Sequence, residues 1–218
     1  MPVSAPPEGF VARVERACSH FALPNASPSV VRQLTAYCDL TVTWGQRMDL
    51  TAARSADELV DLLLADALAI ASACHDVTQP GEPWFDVGSG VGAPGIPLAL
   101  LLPIKMTLVE PREKRVAFLR TAVGSLARPD IAVSRTRSDV FPVGSCKVAV
   151  SRATLPPPEW VTEGARLATG SLWLLLAKAG PPDVGERPVL ADIRYQWPLT
   201  GAERRAVCLS AGSAPAST

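Results

Sequence analysis

The sequence predicts an α/β protein: a mostly parallel, seven-stranded sheet flanked by helices, preceded by a helical N-terminal extension. Three observations carry this prediction. From Trp84 onward, short apolar runs alternate with stretches of helical period, the rhythm of βαβ units. The first such strand runs into a glycine-rich turn, Gly88-Ser-Gly-Val-Gly92, and then a helix. Upstream of Trp84 the apolar residues recur at helical spacing instead.

In the extension, Pro28 to Trp44 carries Val30, Val31, Leu34, Tyr37, Cys38 and Leu40 and reads as one helix. A polar connection, Gly45 to Arg54, leads to Ser55, which has Glu58 three residues on. That pairing is a capping box, and Leu59, Leu62, Leu63, Ala67 and Ile70 continue the helix behind it. Strands follow near Trp84–Val87, Met106–Val109, Ile131–Ser134, Val148–Val150 and Leu172–Ala177, with helices at about Pro97–Leu102, Arg112–Leu126 and Pro158–Leu167 between them. The last two apolar runs, Ile193–Trp197 and Ala206–Ser210, have no long helix between them, so they read as an antiparallel hairpin closing one edge of the sheet. The expected division is an extension over 1–80, a core over 81–211 and a loose tail over 212–218.

Composition narrows the class. With 218 residues, 48% hydrophobic and 19% charged, the chain has the makeup of a globular domain. The run Ile96 to Ile104 is broken by Pro97 and Pro103 and is far too short to span a membrane, and Met1 to Phe10 lacks the basic-then-apolar pattern of a secretory signal. Cys18, Cys38, Cys74, Cys146 and Cys208 are odd in number and scattered, which predicts neither a disulfide framework nor a metal site, and fits a reduced cytoplasmic setting. The formal net charge of +0 hides an uneven distribution: five basic against nine acidic residues over 1–80, and nine against six over 81–150. Within Arg112–Arg137 lie Arg112, Lys114, Arg115, Arg120, Arg128, Arg135 and Arg137, against only Glu113 and Asp130. Such a stretch can contact phosphates, although an ordinary solvated helix face explains it equally well.

The glycine turn is the strongest local signal. Gly88, Gly90 and Gly92 allow a tight turn and leave no side chain to obstruct a ligand lying against the backbone. Glu110 ends the next strand, at the spacing from which a carboxylate reaches a ribose diol. These features fit either S-adenosylmethionine or a nicotinamide dinucleotide, since Gly88-x-Gly90-x-x-Ala93 also satisfies the dinucleotide fingerprint. Asp86 tilts the balance toward S-adenosylmethionine: an acid there can help hold a cationic methionine end, whereas it would face a pyrophosphate unfavourably.

Read together, these residues resemble the ribosomal RNA small subunit methyltransferase G family, RsmG or GidB, from about Trp44 to Lys178. Asp86-Val-Gly-Ser-Gly-Val-Gly-Ala-Pro-Gly-Ile-Pro-Leu-Ala99 is similar to the family's D-V-G-S-G-x-G-F-P-G-I-P-L-A, Lys114-Arg-Val-Ala-Phe-Leu119 to its K-R-x-x-F-L, and Ser151-Arg-Ala153 to its S-R-A. The resemblance implies a class I S-adenosylmethionine-dependent methyltransferase, Rossmann-like in fold, acting on guanine N7 in 16S ribosomal RNA. It implies that Gly88, Ala93, Ser138 and Asp139 line the cofactor, Asp139 toward the adenine amino group. Arg152 falls at the rim where cofactor and base meet, and Arg112, Lys114, Arg115 and Arg120 become candidates for RNA contact. The partner implied is ribosomal RNA or the small ribosomal subunit, met by a monomer without metal.

This chain departs from the family pattern on the substrate side, which leaves another RNA or a small molecule open as the acceptor. Leu62 and Leu63 stand where the family has a basic pair, Asp49 replaces an asparagine, Ala93 replaces an aromatic residue or leucine, and Ala177-Lys178-Ala-Gly replaces L-K-G. The chemistry asks for little general catalysis. Guanine N7 attacks through an in-plane lone pair and carries no proton, so no general base is needed, and His20 and His75 read as structural or solvated. An exocyclic amine acceptor fits poorly, because Leu155 before Pro156-Pro157 can accept no hydrogen bond from an amine.

Overall fold

Two helices, α1 (Val11–His20) and α2 (Pro28–Gly45), open the computed structural model, which describes residues 3–6, 8–23, 26–177 and 187–212. Ser27 caps α2, its hydroxyl accepting from the Val30 amide at 3.3 Å, and Pro28 occupies the first turn where its missing N–H costs nothing. The Ser55 cap forms as well, with Glu58 N donating to Ser55 Oγ at 3.1 Å. The returning bond from Glu58 goes to the Arg54 amide at 2.8 Å, one residue before the cap.

The segment behind Ser55 is not one regular helix. It runs as α3 (Ala56–Val60), a π-helical turn (Asp61–Ala65) and α4 (Asp66–Cys74). The apolar spacing of Leu59, Leu63 and Ala67 carries no trace of the widened turn, because its cause lies far away in the chain. An i→i+5 turn stacks Asp61 above Asp66, and both reach the C-terminal hairpin. Asp61 is fully buried and accepts from Leu199 N at 3.1 Å, Thr200 N at 2.8 Å and Thr200 Oγ1 at 2.8 Å. Asp66 accepts from Tyr195 Oη at 2.6 Å.

The sheet comprises β1 (Pro83–Val87), β2 (Lys105–Val109), β3 (Ile131–Ser134), β4 (Cys146–Arg152), β5 (Ala168–Leu176), β6 (Val189–Gln196) and β7 (Glu203–Ser210). Its order is β3-β2-β1-β4-β5-β7-β6, with β7 alone antiparallel to both neighbours. The expected mostly parallel sheet and closing hairpin are therefore present. Strand β4 is longer than its apolar run because pairing with β5 continues through Arg152 opposite Leu175. Trp197, expected within the hairpin strand, lies one residue beyond β6.

Helices α5 (Gly95–Leu101), α6 (Glu113–Ser125) and α7 (Pro157–Leu167) cover the sheet. Burial on both faces explains why the strands read as continuous apolar runs. Along β4, Val148 and Val150 join the core shared with α5, α6 and the N-terminal helices, while Cys146 and Ala149 point into the core under α7. The first core runs without a break from Phe10 to Cys208, so the extension is packed directly against the sheet. Strand order reverses between β1 and β4, and in such sheets the crevice outside the carboxyl ends at this point is where ligands bind. The glycine turn, Glu110 and Arg152 all emerge at that edge.

Candidate functional site

A cleft of about 480 Å³ opens at the strand-order reversal, lined by residues that include Gly88, Glu110, Arg112, Arg115, Ser138 and Arg152. Six of the sequence-derived candidates thus come together. Gly88 has φ +73°, and a Cβ there would lie 2.0 Å from Thr154 Oγ1, so only glycine fits between the turn and the chain after β4. Gly90, at φ +57°, is different: its nearest neighbour to an added Cβ is Arg115 Nη1 at 3.6 Å, so the constraint there is backbone conformation.

Glu110 is 2% exposed, and both of its oxygens are organised. Oε2 accepts from Gly90 N at 3.0 Å and Oε1 from Arg112 N at 2.9 Å, while Arg115 Nη1 lies 3.8 Å away. Each oxygen retains a lone pair for a further donor. The acid at the end of β2 therefore secures the glycine turn after β1 and can still accept a diol.

Arg152 reaches back into the extension. Its Nη1 donates to Leu62 O at 2.5 Å and to Asp66 Oδ2 at 3.1 Å. Among the described residues its other guanidinium nitrogens have no hydrogen-bond partner, and the side chain is 23% exposed. Ala153 follows in a left-handed conformation, φ +54°, an uncommon state for a residue with a Cβ and one that marks a constrained turn. Ser151 Oγ and Thr154 Oγ1 both donate to Val87 O, at 2.8 and 3.0 Å, tying the end of β4 to the end of β1.

Other candidates lie elsewhere. Asp86 is 1% exposed, behind the turn rather than in the cleft: one oxygen accepts from Gly95 N at 3.0 Å and the other has no partner among the described residues. Burial pushes its carboxyl up to about 7, against the opposing pull of the Gly95 amide and Arg152. Gly92 packs against Ile96 and Leu119, and Ala93 sits in the hydrophobic core, so neither lines the cleft. Asp139 is exposed and paired with Arg137 at 3.5 Å, in a neighbouring depression of about 360 Å³ that shares Arg137, Ser138 and Leu155 with the cleft. The Asp49-Leu-Thr-Ala stretch lines a separate depression that shares no residue with it.

Apart from Arg115, which lies beside Glu110, the basic stretch divides into two groups. Arg128, Arg135 and Arg137 are paired with Asp130, Glu113 and Asp139. Arg112, Lys114 and Arg120 are exposed and have no carboxylate partner among the described residues. His20 packs edge-on against Phe21, and His75 lies 3.0 Å from Asp76, so neither belongs to the cleft. Among the described residues no cluster of three or more His, Cys, Asp or Glu side chains is placed to hold a metal ion, and no helix is long and apolar enough to cross a membrane.

Sequence reasoning missed Tyr37, Thr154, Trp197 and Arg204. Tyr37 is fully buried in α2 and donates to Val91 O, inside the glycine turn, at 2.7 Å. Its position on an apolar helical stripe gave no hint of this contact. Thr154 follows Ser-Arg-Ala directly, and that adjacency was a usable signal.

Sheet order and cleft define a class I methyltransferase fold. Among solved structures, magnesium protoporphyrin IX methyltransferase from Synechocystis PCC 6803 superposes with a TM-score of 0.54 at 17% identity, covering 66% of this chain and 77% of that one. A SAM dependent methyltransferase from Aquifex aeolicus gives 0.52 at 15% identity, covering 70% and 92%. The model of the family described as rRNA small subunit methyltransferase G, GidB, matches residues 30–179, and the chain belongs to that family. The ribosomal RNA small subunit methyltransferase G of Pseudomonas aeruginosa is 39% identical over 124 residues, 56% of each chain, so the match spans little more than half of that relative. The Pseudomonas putida protein of the same name is 33% identical over 154 residues, 69% of this chain and 70% of its own.

Proposed function

We propose that this protein is an S-adenosylmethionine-dependent methyltransferase that modifies guanine N7 in 16S ribosomal RNA. The observation that carries the reading is that Gly88, Glu110 and Arg152 line one cleft at the strand-order reversal, Glu110 also accepting from the Gly90 amide of the turn, in a chain of the methyltransferase G family. The residues present fit the cofactor. Glu110 accepts from the ribose hydroxyls, Gly88 and Gly90 let the backbone approach closely, and Ser138 with Asp139 serves the adenine end. When bound, S-adenosylmethionine supplies a methyl group on a positively charged sulfur. Asp86 acts from behind, accepting from the Gly95 amide and holding the turn in place.

The protein's own contribution is alignment and electrostatics. N7 loses no proton on methylation, which suits a cleft without histidine. Arg152, anchored through one nitrogen, directs its remaining donors toward O6 of the base, leaving the N7 lone pair free. Arg112, Lys114, Arg115 and Arg120 contact phosphates beside the cleft, offsetting the acidic extension. The same reading has the protein act as a cytoplasmic monomer on ribosomal RNA or the small subunit.

Thermal shift separates the cofactor classes: S-adenosylhomocysteine raises the melting temperature and NAD does not. Stabilisation by NAD alone overturns the assignment in favour of an oxidoreductase.

A further inference from the structure

A second pocket, of about 260 Å³, opens beside the cleft and shares Arg152 and Ala153 with it. Its walls are largely apolar, from Leu62, Leu175 and Trp197, and its charged groups are Arg152, Arg204 and Asp66. Asp66 is already engaged by Arg152 and by Tyr195 Oη, so the carboxylate is neutralised where it stands. Arg204 is not engaged in this way: its guanidinium lies 3.8 Å over the Trp197 ring, bonds only Glu203 O, and has no carboxylate partner among the described residues. Trp197 itself is 8% exposed, and its indole N–H has no acceptor among the described residues.

We infer that this pocket receives the acceptor nucleobase after it leaves the RNA stack. The inference rests on the methyltransferase reading above and supplies the acceptor side of the same site. A base buried in a helix cannot present N7 to a cofactor held deep in a cleft, and enzymes acting on bases draw them into pockets lined by apolar and aromatic groups. This pocket has such walls, adjoins the cleft through the residue assigned to the base edge, and carries one excess positive charge, since Asp66 pairs with Arg152 and Arg204 is left over. Trp197 contributes an aromatic part of the wall against which the base packs. Arg204, one face on the indole, turns its N–H edge to the flanking phosphate. Leu62, one of the two leucines that replace the family's basic pair, takes on a role here, since it forms part of the pocket wall and its carbonyl holds Arg152. Specificity is then set by shape within the pocket, and the exposed cations beside α6 supply general affinity.

The test uses the full chain with small ribosomal subunits lacking the modification, and reads both methyl transfer and S-adenosylhomocysteine affinity. Trp197→Ala is expected to raise KM for the RNA substrate by about tenfold, Arg204→Ala to raise it several-fold, and both to keep cofactor affinity within about twofold of wild type. Trp197→Phe retains a flat ring and recovers most of the loss, which also separates the effect from misfolding. If the wild type transfers methyl to RNA and Trp197→Ala and Arg204→Ala do so with unchanged KM, the pocket assignment is wrong while the methyltransferase reading stands. If the wild type binds S-adenosylhomocysteine but modifies no RNA, both fall together.

Discussion

The Tyr37 hydroxyl, buried in the second helix of the extension, donates to the Val91 carbonyl inside the glycine turn at 2.7 Å. The extension therefore braces the loop assigned to the cofactor. Tyr37→Phe keeps the ring and leaves a buried carbonyl unsatisfied, a loss of about 1–3 kcal/mol. Calorimetry is expected to show a melting temperature lower by several degrees, with weaker S-adenosylhomocysteine binding. An unchanged affinity means that the brace is structural only.

Glu110 supports the turn and the cofactor with one carboxylate. Glu110→Gln places an amide NH2 against a backbone N–H donor, Gly90 or Arg112, because both carboxylate oxygens accept in the native arrangement. Titration calorimetry should register at least about a tenfold loss of S-adenosylhomocysteine affinity, roughly 1.4 kcal/mol. Gly90→Val, which forces a branched side chain to φ +57°, is expected to abolish binding. Native-like affinity in either variant contradicts the turn assignment.

Asp86 imposes a pH dependence on stability. Burial raises its carboxyl from 3.8 to about 7, so the folded state binds the proton more tightly than the unfolded state. The stabilisation is fully present below 3.8 and is lost as pH rises through about 7, by about 4 kcal/mol in all. Melting curves between pH 5 and pH 8 should fall for the wild type and stay flatter for Asp86→Asn. Parallel curves would show that Asp86 does not set this slope.

Within the basic stretch Arg112–Arg137, Arg112, Lys114 and Arg120 are exposed and have no carboxylate partner among the described residues. Replacing all three by serine should weaken RNA binding and flatten its logarithmic salt dependence by about 2, the contribution of three phosphate contacts on single-stranded RNA. An unaltered slope identifies the stretch as a solvated helix face.

The sheet was legible in the sequence because parallel strands buried on both faces leave continuous apolar runs, and the glycine turn announced which edge carries the site. Glu110 was legible for the same reason, through its spacing from Gly88. The π turn was not, since it depends on Asp61 and Asp66 meeting residues more than a hundred positions away. Trp197 escaped notice in a similar way: as a residue next to an apolar strand it looks like core, and only the fold brings it beside Arg152. Asp86 shows the converse limit, for its motif position is plain in the sequence but its burial behind the turn is not.

On the proposed function, this cleft transfers a methyl group to guanine N7 of small-subunit ribosomal RNA. The most direct measurement is mass spectrometry of nucleosides from 16S RNA after incubating the purified protein and S-adenosylmethionine with subunits from a strain lacking the modification. N7-methylguanosine is expected in the wild-type reaction and is expected to be absent with Gly90→Val. Wild-type protein that binds the cofactor yet produces no N7-methylguanosine would contradict it.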